Sequence, residues 1–118
     1  MAGMPVTEHT FGERPDWRQF APFEGAAHTF EQGDAAATTV DGRDIVVAGT
    51  IYPTNDEDAK GIVLYDVDVT DGDGAGTLVY SGTANEPKLT AMAAAPTDEA
   101  KMAMPGIRWF PTMTHPTA

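Results

Sequence analysis

The chain has 118 residues, a formal net charge of −11 from 18 acidic and 7 basic residues, and no cysteine. This length fits one domain with a modest core, for which oligomerisation is a common source of added stability, and the missing cysteine excludes disulfides and thiolate sites. The charge argues against nucleic acid and anionic membranes as partners, because both need a basic patch. No apolar run approaches the ~20 residues of a membrane span, and Met1 to Val6 lacks signal-peptide character, so we expect a soluble protein made in the cytoplasm.

Residues 1–37 are interpreted as an extended N-terminal arm, because aromatic residues there are spread among proline and glycine with no lasting helical or strand period. Two roles stay open for its aromatic side chains. They fold back over the domain's own sheet, or they dock on a partner, since rigid aromatic groups bury much area at low entropic cost. The candidate partner-facing anchors are Phe11, Trp17, Phe20, Phe23 and Phe30.

Residues 38–112 are predicted to form a β-rich domain. Short strands are expected at 38–40, 44–52, 61–69 and 77–83, with Gly/Asp turns at 41–42 and 71–76. The last two strands should form an antiparallel hairpin. The residues expected in the sheet core or a trimer interface are Ile62, Leu64, Val67, Val69, Leu78 and Tyr80.

The C-terminal region gives mixed signals. Residues 86–95 fit either one helical turn or a loop, whereas Thr97 followed by Asp98 and Glu99 indicates an N-cap and a helix to about Met104. A last strand is expected at 107–110 and a frayed tail at 113–118. The predicted fold class is mainly β: a small antiparallel β-sandwich or barrel-like domain with one short C-terminal helix and an extended N-terminal arm.

Four aspartates, at positions 66, 68, 71 and 73, form the most metal-like pattern, since Ca²⁺ prefers carboxylate oxygens. EF-hand spacing is not met, because Asp71 stands where that loop needs glycine. Solvent-facing and turn-forming roles are favoured, so we predict no metal or cofactor, with Asp66, Asp68, Asp71 and Asp73 as a weak candidate set. Ser81 is the sole serine and has no histidine near it in sequence. We therefore predict that the protein is not an enzyme.

The acidity itself has two interpretations. With only three lysines, it fits a high-salt habitat and a halophilic host, where screening removes most repulsion between carboxylates. Solubility alone explains it equally well.

One segment carries a family resemblance. Gly49 to Gly82 contains a Gly-x-Ile-x-Pro run, Asn55-Asp56, an apolar strand ending in DVDVT, and Gly76 before Leu78-Val79. In order and spacing, this resembles the core of the tailed-virus capsid decoration and head-fibre base-domain family. The tail, with Lys88-Leu89, Ala95-Pro96-Thr97 and Glu99-Ala100, fits the same family more loosely. The resemblance covers about half of the chain, and residues 1–37 lie outside it.

The resemblance implies a homotrimer that sits at local three-fold positions on the outer surface of an icosahedral head, binds the major capsid protein and cements the shell. Because the chain stops soon after its last predicted strand, we expect a base without a fibre. The expected location is the virion. The alternative is a secreted or cell-surface β-sandwich binding module, dependent on calcium through the aspartate cluster, against which the lack of a signal peptide counts.

Overall fold

The computed structural model describes residues 16–111. Within them, eight strands and two short helices follow one another along the chain. The strands are β1 (Glu24–Phe30), β2 (Thr38–Val40), β3 (Arg43–Val46), β4 (Ile51–Tyr52), β5 (Gly61–Val63), β6 (Val67–Asp68), β7 (Gly74–Asn85) and β8 (Ile107–Phe110). The helices are α1 (Glu86–Met92) and α2 (Asp98–Ala103). The predicted class, mainly β with antiparallel sheets, is confirmed.

The 12-residue strand β7 is the longest strand described, and it pairs with β1, β5 and β8. A five-stranded sheet has the order β1-β7-β5-β4, and β8 runs parallel to the last four residues of β7. The predicted pairing of β5 with β7 is confirmed as antiparallel, with Ile62 opposite Val79. A second sheet has the order β2-β3-β6.

The five-stranded sheet buries apolar side chains on both faces, because neighbouring residues of a strand point in opposite directions. The cross-strand pair Ile62–Val79 belongs to one cluster, together with Trp17 and Leu89. The next pair, Val63–Leu78, faces the other cluster, together with Phe30 and buried valines of the three-stranded sheet. Full burial of each such side chain contributes about 1.5–3 kcal/mol.

Two predicted strands are each divided in the structure. The segment expected as one strand at 61–69 is split into β5 and β6, which belong to different sheets. The segment expected at 44–52 likewise becomes β3 and β4, joined through a turn in which Gly49 has a φ of +92°. The Asp66 side chain accepts a hydrogen bond of 2.7 Å from the Ala48 backbone N–H and so ties the two crossings together.

The boundary predicted after residue 37 is wrong for the described part of the arm. β1 pairs with β7 over its whole length, from Glu24 opposite Ser81 to Phe30 opposite Gly74. Upstream, the Asn85 N–H donates to the Trp17 carbonyl over 2.8 Å. Residues 17–30 therefore lie alongside the long strand β7. Residues 1–15 lie outside the described residues.

Both helices begin at a capping side chain. Asn85 accepts a hydrogen bond from the Lys88 N–H at the start of α1, where Pro87 occupies the first turn. Thr97 accepts one from the Ala100 N–H at the start of α2, as predicted. The region left open between helix and loop is thus helical over α1, so the domain has two short helices rather than one. Neither helix in residues 16–111 is long and apolar enough to cross a membrane.

Candidate functional site: an exposed aromatic–arginine face

The six residues predicted for the core or a trimer interface divide into three groups. Four are buried in the chain's own core: Ile62, Leu64, Val67 and Val69. Leu78 is half-buried against the second cluster. Tyr80 is 47% exposed and is therefore no part of the core.

The predicted aromatic anchors also divide. Trp17 and Phe30 are fully buried in different clusters of the domain, so the prediction that they face a partner is wrong for both. Trp17 additionally donates from Nε1 to the Val63 carbonyl over 2.9 Å. Phe20 and Phe23 remain exposed, by 43% and 38%. Phe11 lies outside the described residues.

Phe20 lies beside the last strand pair. Its backbone N–H donates to the Thr83 hydroxyl over 2.8 Å, and Thr83 is directly opposite Arg108 in the β7–β8 register. The Phe20 and Phe110 rings meet edge to face with centroids 5.5 Å apart. The guanidinium of Arg108 lies 5.5 Å from the centre of the Phe110 ring. The strand pair thus brings together residues that are about 90 positions apart in sequence.

Phe23 extends this surface on the other side. The Arg18 guanidinium is 5.2 Å from the centre of the Phe23 ring, and it also donates to the Ala21 carbonyl over 2.8 Å. The hydrogen bond between Arg18 and Asp16, 2.6 Å at its shortest, raises the pKa of that arginine. The turn before β1 is therefore held in one shape. We call Arg18, Phe20, Phe23, Arg108 and Phe110 the aromatic–arginine face.

A groove of about 550 Å³ runs across this face between Phe23 and Arg108. Two of its lining residues are glycines at close approaches between chain segments. A Cβ at Gly82 would lie 3.1 Å from the Phe23 Cβ, and one at Gly106 would lie 2.5 Å from the Tyr80 carbonyl oxygen. Both glycines thus allow the segments that line the groove to pack closely.

The composition of the face is that of a binding surface. Aromatic residues and arginine are enriched at the centres of protein interfaces, where they account for most of the binding energy. Sequence reasoning found Phe20 and Phe23 but missed Arg18, Arg108 and Phe110. The signal for the last two was the alternation Ile107-Arg108-Trp109-Phe110, in which every second residue points away from the core.

The four aspartates of the weak metal candidate bind protein groups instead. Asp68 and Asp71 both accept hydrogen bonds from Arg43, and Asp73 accepts one of 2.9 Å from the Gln32 N–H. Asp66 holds the Ala48 N–H, as described above. In the part of the chain that the structure describes, no group of three or more histidine, cysteine, aspartate or glutamate side chains is placed to hold a metal ion.

Comparisons with known proteins add no relative: no family model, no curated protein and no solved structure matches the chain.

Proposed function

We propose that this protein is a capsid decoration protein that binds the outer surface of a tailed-virus head as a homotrimer at local three-fold positions and stabilises the shell. Its partner is the major capsid protein, and its location is the virion. It acts by binding rather than by catalysis. The observation that carries the proposal is the aromatic–arginine face, on which Phe20 and Phe23 are exposed although the chain is highly acidic, with a net charge of −11.

The residues that carry the family resemblance supply the scaffold behind this face. Ile51 and Ala59 are buried, and Gly49 occupies a turn at positive φ. The Asn55 side chain accepts from the Thr97 N–H over 3.0 Å and so anchors the start of α2. The resemblance in Gly49–Gly82 therefore supports the fold part of the proposal, and the contact surface comes from outside it.

The stabilising mechanism follows from mass action. A protein that binds only the assembled, expanded shell favours that state by RT ln(1 + [L]/Kd). Three faces on one trimer attach together, so modest individual contacts give a strong combined attachment.

We assign the trimer contact to Tyr80, which is not one of the five residues of the aromatic–arginine face. Tyr80 was predicted for the core or for the trimer interface, and because it is 47% exposed in the single chain, we assign it to the interface. Substituting Tyr80→Glu should convert a trimer of the 12.5 kDa chain into monomers, because a carboxylate would be desolvated at the contact. Mass measurement in solution, at low and high salt, reads the result. A monomeric wild-type protein would contradict the trimer.

Capsid binding is tested by co-sedimentation with expanded empty heads of the virus that carries this gene. The wild-type protein should bind, and Phe20→Ala combined with Phe23→Ala should weaken binding about tenfold or more, because both rings are lost from the contact. Val40→Ala is the matched control, since Val40 is equally exposed at 42% but lies on the three-stranded sheet. Absence of wild-type binding would contradict the function. Equal binding by the double variant would contradict the face.

A further inference from the structure

Arg108 differs from the other arginines of residues 16–111. Arg18 forms an ion pair with Asp16, and Arg43 forms ion pairs with both Asp68 and Asp71. Within those residues, Arg108 has no carboxylate at ion-pair distance and is solvent-exposed. A chain with 18 acidic residues does not lack carboxylates to pair with it.

The surroundings of Arg108 leave its hydrogen-bonding edge available. Its guanidinium carbon lies 5.5 Å from the centre of the Phe110 ring, and a cation–π contact of this kind does not consume the N–H donors of the group. Phe23, Gly82 and Gly106 line the groove together with Arg108. Glu24 also lines the groove and makes no ion pair with Arg108. An apolar contact and a cationic donor are thus presented together across one groove.

We propose that this groove binds a carboxylate-bearing segment of the capsid surface, with an aspartate or glutamate of the partner on Arg108 and an apolar side chain of the same segment against Phe23. This inference rests on the proposed function and names the chemistry of the partner. Charge complementarity selects this occupant: Arg108 is an exposed cation beside the groove with no carboxylate at ion-pair distance among residues 16–111, and a carboxylate is the group that a guanidinium pairs with best.

The test compares charge variants of Arg108 in the head-binding assay. Arg108→Glu should lower the affinity for heads by about tenfold or more, because a favourable contact becomes a like-charge contact. Arg108→Lys should recover part of that loss, since lysine keeps the charge but not the two-pronged geometry of the guanidinium. Lys60→Glu makes the same change of charge at an exposed lysine beside β5 and should bind like the wild type. Unchanged thermal unfolding of all three variants establishes that they fold.

Salt dependence separates an ion pair from a shape effect. If a carboxylate meets Arg108, wild-type affinity should fall as salt rises, and Arg108→Glu should show a weaker or reversed dependence. Equal loss of affinity in Arg108→Glu and Lys60→Glu would overturn the inference, because general repulsion would then explain both. Wild-type binding that Arg108→Glu leaves unchanged would overturn the inference and leave the proposed function standing. No binding by the wild type would instead overturn the proposed function.

Discussion

The segment Gly49–Gly82 and the two segments that flank it use apolar side chains in opposite ways. In the central segment, the large aliphatic side chains point inward, as Ile62 and Val79 do in the first cluster. In the flanks, burial alternates: Trp17 is fully buried, while Phe20 three residues later is 43% exposed. The central segment therefore places its aliphatic side chains in the core, whereas the flanks place aromatic side chains both in the core and at the surface.

The divided role of the flanks has a geometric cause. Two irregularities lie side by side in the β1–β7 pair: a register shift between Glu24 and Gly25, and Gly82 with a φ of +153°. A β-bulge changes which face a side chain points to, because it inserts an extra residue into the alternation. Val79 and Ala84 thus both face the first cluster although they are five positions apart, an odd spacing that would put them on opposite faces of a regular strand. Beyond this point Thr83 and Arg108 face outward with Phe20.

The largest expected effect concerns the buried aromatic side chain of the N-terminal flank. Trp17→Ala should lower the free energy of unfolding by about 3–5 kcal/mol, because it removes a fully buried ring and one of the two hydrogen bonds to the Val63 carbonyl, which keeps the Gly49 N–H. Denaturant unfolding followed by circular dichroism measures it. Phe20→Ala is the matched variant, and we expect it to cost less than about 1 kcal/mol because that ring is partly solvated. Similar losses for the two would remove the distinction between core and exposed side chains within the flank.

A smaller effect tests the packing of the central segment on the flank. Gly76 lies opposite His28 on β1, and a Cβ there would lie 2.7 Å from Val67 and 2.9 Å from the Phe30 ring. Gly76→Ala should therefore destabilise the domain by about 1–3 kcal/mol through overpacking. Ala75→Ser, at the exposed neighbouring position, is the control and should leave the melting temperature nearly unchanged. An unaffected Gly76→Ala variant would mean that β1 is not held against β7 at this point.

Much of the fold could be predicted from the sequence because local signals and tertiary structure agree there. The alternation of aliphatic residues indicated the strands, and Thr97 before two acids indicated the start of α2, where the cap is observed. Strand length could not be predicted, since whether a strand continues or crosses to another sheet depends on partners elsewhere. Asp66 illustrates this, because its bond to Ala48 marks a crossing that no local pattern shows.

The aromatic–arginine face was only half predictable. β1 reads EGAAHTF, in which small and polar residues conceal the two-residue period, so the sequence favours an extended arm and does not indicate its pairing with β7. Arg108 and Phe110 become neighbours of Phe20 only through the β7–β8 pairing and the hydrogen bond at Thr83. Pairings of this kind depend on long-range contacts, and composition alone does not contain them.

The smallest expected effect concerns an ion pair between the central segment and β3, away from the aromatic–arginine face. Hydrogen bonding from Arg43, followed by the Thr70 N–H, lowers the pKa of Asp68 to about 2. An unperturbed aspartate in the unfolded chain titrates near ~3.9. Because the folded-state pKa is the lower one, the contribution of Asp68 to stability is present above about pH 4 and is lost as the pH falls through about 2.

Asp68→Asn removes this contribution and should therefore have a lower melting temperature than the wild type at pH 5. The difference should shrink as the pH falls toward 2, where the wild-type carboxylate is itself protonated. Asp58→Asn makes the same change of charge at an exposed loop position that has no arginine contact in the described residues, and its difference from the wild type should not follow this course. If the melting temperatures of the wild type and Asp68→Asn instead differ by the same amount at every pH in this range, Arg43 does not stabilise the Asp68 carboxylate. The β3–β6 pair would then be held by its backbone pairing and by the packing of Val46 against Val67 rather than by the ion pair.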